Sequence, residues 1–160
     1  SVNSRPPLKD GRQSDRALSI RRGLQRMFYE MKHATLPEMT LDNGRRADLV
    51  CLCPKGRITI VEIKSSVQDF RSDNKWPDYS AFCDAFLFAT LPDLPEDLFP
   101  ETEGLIIADR FGAEIVREPR ENGLSAARRK KLVQVFATTA AERLMQAEIA
   151  SEALAALPKT

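Results

Sequence analysis

The sequence predicts an α/β fold in which helices cover the faces of a mixed central β-sheet. Three observations carry that reading. Apolar residues recur at helical spacing near both ends of the chain, short runs rich in β-branched residues lie between them, and two of the turns joining those runs hold glycine where a hairpin needs positive φ. A chain of 160 residues is long enough for one compact core and short for two. One domain is therefore expected over 15–157, behind a flexible arm at 1–14.

The elements follow in order. "DRALSIRRGLQRMFYEM" sets Leu18, Ile20, Leu24, Met27, Phe28 and Met31 at helical spacing, with Asp15 as N-cap, so a helix is expected over about 16–32. "TLPEMTLDNGRRADLVCLCPKGRITIVEIKSS" reads as three antiparallel strands joined by Asp-Asn-Gly and Pro-Lys-Gly turns. "WPDYSAFC" predicts a short helix opened by Pro77 at its first position, and "DAFLFATL" a buried strand. "LPEDLFP" is one turn between prolines, while "GLIIAD" and "AEIVRE" flank "RFG" as a late strand pair. Ser125 can cap a long helix reaching about residue 155, with Leu132, Phe136, Ala140, Leu144, Ala147 and Leu154 as its inward stripe.

Composition excludes several classes. Hydrophobic residues make up 42% and charged residues 29%, with seven glycines, which is neither disordered nor fibrous. No run approaches the ~18 apolar residues of a membrane span, and "SVNSRPPLKDGRQSD" lacks the apolar core of a signal peptide, so a cytoplasmic location without membrane contact is expected. Cys51, Cys53 and Cys83 are an odd set best read as buried free thiols, and with His33 as the single histidine zinc is a poor fit. The net charge of +1 conceals segregation: eight Lys or Arg against three acids between Arg5 and Lys32, four bases at Arg128 to Lys131, and five acids with no base between Asp93 and Glu103. Such a basic face either attracts a polyanion or is simply solvated.

The chemistry concentrates in "RITIVEIKSS". Glu62 and Lys64 lie two apart on a strand and so share a side, whereas the same spacing in "EMK", Glu30 to Lys32, falls on a helix where it does not. With a three-residue Pro-Lys-Gly loop, Leu52 pairs with Ile58, Val50 with Ile60 and Asp48 with Glu62. A three-residue Asp-Asn-Gly loop likewise sets Leu41 opposite Arg45 and Glu38 opposite Asp48, whereas a two-residue Asn-Gly loop would put Met39 opposite Asp48; the first is preferred because it keeps Met39 and Leu41 on the face of Ala47, Leu49, Val61 and Ile63. The expected outcome is a row of Glu38, Asp48 and Glu62 across three strands, with Lys64 one pleat further beside Arg46. Carboxylates ~5 Å apart repel by about 3 kcal/mol at an effective dielectric of ~20. A proton, Arg46 or Lys64, or a divalent cation must answer that repulsion. A magnesium-type site would take oxygens from Asp48, Glu62 and the Ile63 carbonyl, leaving Lys64 to orient water in phosphodiester hydrolysis. The alternative is a charged cluster at the sheet rim, satisfied by solvent and Arg46.

The order Glu38, Asp48, then "VEIK" resembles the PD-(D/E)XK nuclease superfamily, whose signature is an acid followed by Glu-x-Lys on the next strand. Within it, "GRRADLV", "TIVEIKSSVQDFRSDNKWPDYSAFCDAFLFAT" and "GLIIAD" resemble the MmcB-like DNA repair proteins over most of residues 20–145. The resemblance implies a restriction-endonuclease-like core, magnesium or manganese at Asp48 and Glu62, Lys64 as catalytic lysine, and DNA as substrate, with repair proteins as further partners. Ala47 replaces the proline of the signature. Around the site, Arg45, Arg46, Ser66, Arg71 and Lys75 can contact phosphate, and Trp76 can stack on a base. For Arg45 and Arg46 a structural ion pair is an equal alternative, for Ser66 strand-end hydrogen bonding, and for Trp76 a core anchor. Two classes follow: a metal-dependent DNA nuclease, or a noncatalytic DNA-binding or adaptor protein that keeps the fold. Oligomeric state is left open.

Overall fold

The computed structural model describes residues 14–159, and the expected arm lies, except for Ser14, outside the described residues. The elements are α1 (Asp15–Glu30), β1 (Ala34–Thr40), β2 (Arg46–Leu52), β3 (Ile58–Ile63), α2 (Val67–Ser72), a 3-10 helix (Trp76–Phe82), β4 (Ala85–Thr90), a 3-10 turn (Glu96–Leu98), β5 (Gly104–Asp109), β6 (Gly112–Arg117) and α3 (Ala126–Ala155). The six strands form one mixed sheet in the order β1-β2-β3-β4-β5-β6. The β3/β4 and β4/β5 pairs are parallel and the rest antiparallel, so the α/β architecture is the expected one.

Local chemistry sets the boundaries. Ser14, not Asp15, caps α1, its hydroxyl accepting from the Ala17 amide at 3.1 Å. The helix stops at Glu30 rather than near residue 32, because Lys32 turns left-handed at φ 64° and the His33 amide closes back on the Phe28 carbonyl at 2.8 Å. Ser125 caps α3 as expected, accepting from the Arg128 amide at 3.2 Å. The segment α2 was not foreseen. It forms because Ser66 caps it through the Asp69 amide and Phe70 packs edge-on against Phe88 and Phe99.

The sheet is buried on both faces. Beneath α1, Ile20, Leu24 and Phe28 meet Leu49, Val61, Ile63, Leu87, Ala89 and Ile106. Gly23 permits this approach, since a Cβ there would collide with the carbonyl oxygens of Asp109 and Gly112. On the other face Phe86, Phe88 and Phe99 are fully buried beside Tyr79, Leu132 and Phe136. Met39, Leu41 and Ala47 belong to this second core, not to the face of Leu49, Val61 and Ile63 as the alternation suggested. The alternation breaks at Glu38, whose backbone is left-handed at φ 54°.

The inward stripe expected on α3 holds for its first half alone. Leu132 and Phe136 are buried and Ala140 is half-buried, but Leu144 and Leu154 are 62% and 69% exposed, and Ala147 is exposed too. The apolar period continues beyond the point where the sheet lies beneath the helix. Cys51 and Cys83 are buried and Cys53 half-buried, and all three are free thiols. Among the described residues no helix is long and apolar enough to cross a membrane.

Candidate functional site

The β2/β3 ladder runs from Leu52↔Ile58 to Leu49↔Val61, on the register the Pro-Lys-Gly turn dictates, and then its ordinary pairing ends. Side chains continue it. The Asp48 amide donates to Glu62 Oε1 at 3.0 Å, and the Ile63 amide donates to Asp48 Oδ2 at 2.8 Å. Each carboxylate thus occupies the place of a backbone carbonyl. Glu62 is 4% exposed and Lys64 6%, so the charged end of β3 is covered rather than at a rim.

Burial pushes the pKa of Glu62 well up, and the neighbouring Asp48 carboxylate adds to the rise. Burial also raises Asp48, against the opposing effects of its hydrogen bonds and of Lys64. Among the described residues, no Lys or Arg nitrogen forms an ion pair with either acid.

Lys64 is engaged elsewhere. Its ammonium lies 2.7 Å from Asp73 and 3.9 Å from Asp69. Burial disfavours that ammonium, but the Asp73 hydrogen bond and the charges of Asp69, Asp73 and Glu62 more than offset it and hold the pKa up. The backbone of Lys64 is fixed as well: its amide donates to Ala89 at 2.9 Å, and its carbonyl accepts from the Thr90 hydroxyl at 2.7 Å. Tyr79 lies under the same face, its hydroxyl donating to the Arg46 carbonyl at 3.1 Å. Burial first, then the nearby Glu62 and Asp48, keep that phenol protonated.

Other candidates are dispersed. The β1/β2 register is the one the Asp-Asn-Gly loop dictates, with Met39↔Ala47 and Thr40↔Arg46, yet the Glu38–Asp48 step is missing from the ladder. Pro37 and Glu38 instead turn their carbonyls to the Arg143 guanidinium of α3, and Glu38 sits half-exposed, 3.9 Å from Arg46. The expected three-acid row is therefore a pair, and among the described residues no three Asp, Glu, His or Cys side chains converge on a metal-sized space. Arg46 stands beside Glu38, not beside Lys64. Arg45 is held by Asp78 at 3.1 Å, and Ser66 is spent on its cap. Arg71 and Lys75 are exposed. Trp76 lies flat on Phe86, ring centroids 6.0 Å apart, with its edge toward Phe88, which is the core-anchor arrangement. Glu30 is exposed at the end of α1, the helix that covers the opposite face.

The sequence left the Asp73–Lys64 pair unseen. A lysine on a buried strand needs an acid, and "DFRSD" just downstream supplied two.

A mixed sheet that sets an acid on one strand against Glu-x-Lys on the next is consistent with the PD-(D/E)XK class of α/β proteins. The chain belongs to the MmcB-like DNA repair protein family, whose model matches residues 4–151. The solved structure of SPO1766, a protein of unknown function from Silicibacter pomeroyi, is similar at 39% identity with a TM-score of 0.82, over 86% of this chain and 94% of that one. No curated protein matches the chain. Family membership gives the protein a DNA-related role.

Proposed function

We propose that the protein is a divalent-metal-dependent nuclease acting on DNA phosphodiester bonds. The supporting observation is the Asp48–Glu62 pair, two carboxylates with raised pKa values, cross-tied to backbone amides and lacking a cationic partner among the described residues. Hard oxygen donors of this kind suit magnesium or manganese. The Ile63 amide already points toward Asp48, and the amide and carbonyl of a strand residue face the same edge, so its carbonyl is available as a third donor.

A divalent cation held there supplies Lewis acidity toward a phosphodiester oxygen and toward water. Lys64, charged and pinned through both its backbone and Asp73, can meet a nucleophilic water or the charge that develops on phosphate. Arg71 and Lys75, exposed past the end of β3, suit flanking phosphates better than Arg45, which Asp78 already engages.

The experiment is a cleavage assay on branched, nicked, single-stranded and duplex DNA with manganese. Asp48→Ala and Lys64→Ala should each lower the rate at least ~100-fold while DNA binding persists. Failure of the wild type to cut any of these substrates would overturn the proposal. A second reading, a DNA-binding adaptor without turnover, is favoured by the ion pair that occupies Lys64 and by the separation of Glu38 from the acids. Under it, neither calcium nor manganese at millimolar concentration raises the melting temperature; under the first both do.

A further inference from the structure

A second place with binding chemistry lies on α1. Arg22, Gln25, Arg26 and Tyr29 stand at the spacing that lines one stripe of a helix, and with His33 and Thr35 they wall a groove of about 440 Å³. That size falls among ordinary ligand sites, roughly 300–1,000 Å³. The sheet-facing stripe of the helix is a different one, Ile20, Leu24 and Phe28, so these side chains are not needed for packing.

Tyr29 is 79% exposed and makes no ring contact among the described residues. Arg22 is aligned along the stripe by a hydrogen bond to Gln25 at 2.9 Å, and Arg26 has no ion-pair partner among the described residues. Among the described residues no acid lines the groove. Its inner wall is the His33 ring, stacked on Phe28 at 5.7 Å, with Nδ1 buried and lacking a hydrogen-bond partner among the described residues.

We infer that this groove holds a single nucleic-acid strand, one base stacked on Tyr29 and the adjoining phosphates against Arg22 and Arg26. The charge selects a polyanion, and the open ring selects a single strand, because duplex bases have already spent their faces on one another. The inference rests on the DNA-related reading but uses no residue of the acidic pair. The groove opens where β1 begins, on the α1 side; the pair lies toward the other end of β3 under the opposite face, removed by about the length of that strand, roughly 20 Å. A strand held in the groove keeps neighbouring DNA at high effective concentration near the acids.

The test is a fluorescence-anisotropy titration of a labelled single-stranded oligonucleotide with the full chain in EDTA. Tyr29→Ala should weaken binding about tenfold and Tyr29→Phe should not. Replacing Arg22 and Arg26 by alanine should reduce the slope of log affinity against log salt by about 0.7 for each phosphate that is no longer neutralised. Duplex affinity should change little. Oligonucleotide affinity unchanged in the groove variants overturns the inference, as does their losing affinity for a poly-glutamate peptide but not for the oligonucleotide. If the wild type cuts DNA yet the groove variants bind normally, the groove alone is wrong. If binding depends on the groove but no metal supports cleavage, the groove stands and the nuclease proposal falls.

Discussion

Two buried acidic positions sit near opposite ends of β3 and are treated in opposite ways. At the start of the strand, Asp84 accepts from the Ile58 amide at 2.8 Å and from both terminal nitrogens of Arg129, one of them at 2.7 Å. The guanidinium is the main reason its pKa is held below the usual carboxylate range. At the far end, Asp48 and Glu62 accept equivalent bonds from backbone amides, yet burial drives both pKa values up, and repulsion from Asp48 adds to the rise at Glu62. Both places satisfy hydrogen bonds, and the first alone also satisfies charge. Deficits of that kind concentrate at functional sites, because a fold selected for stability alone would neutralise them.

The largest expected effect separates the two positions by activity. Glu62→Gln keeps the bond to the Asp48 amide but should abolish metal-dependent cleavage and erase the melting-temperature rise with manganese, whereas Asp84→Asn should leave the cleavage rate of the folded protein within a few-fold of wild type. Equal losses in both would dissolve the distinction.

Stability should run the other way. Arg129→Ala strands the Asp84 carboxylate, whose side chain is 9% exposed, and should cost about 2–3 kcal/mol in urea unfolding. Glu62→Gln relieves repulsion and should stabilise the metal-free protein by about 1 kcal/mol.

The pH dependence has opposite signs as well. A carboxyl with a raised folded pKa binds more protons folded than unfolded, so metal-free stability at the Glu62 end should rise as pH falls from neutrality toward the ordinary carboxylate range near 4. Asp84, with its depressed pKa, contributes fully above that range and loses its contribution as pH drops through its folded value. Unfolding measured against pH should show both limbs. Glu62→Gln should flatten the upper one and Asp84→Asn the lower. The smallest effect is expected at Arg46, 3.9 Å from Glu38 with 66% of its side chain exposed: Arg46→Ala should change stability by less than ~0.5 kcal/mol.

Much of this geometry was legible in the sequence because it is local. Asp-Asn-Gly and Pro-Lys-Gly define their loops, the loops define both registers, and the β2/β3 register brings Asp48 to Glu62. Features requiring a distant partner were not legible. Glu38 leaves the row because Arg143, 105 residues on, takes its carbonyl, and nothing near Glu38 announces that. Lys64 was expected beside Arg46, but the short helix α2 returns Asp73 to it, and that helix is held by Phe70 packing against Phe88 and Phe99, which no periodicity over six residues could reveal. The outer half of α3 shows the reverse error. Its apolar repeat is real, but a repeat does not state how far the underlying sheet extends.

The bare backbone at Gly23 has one more consequence. With α1 pressed onto the carbonyls of Asp109 and Gly112, any side chain at position 23 would have to lift the helix from the β5–β6 hairpin. Such a lift would carry Arg22, Arg26 and Tyr29 with it, because they ride on the same helix.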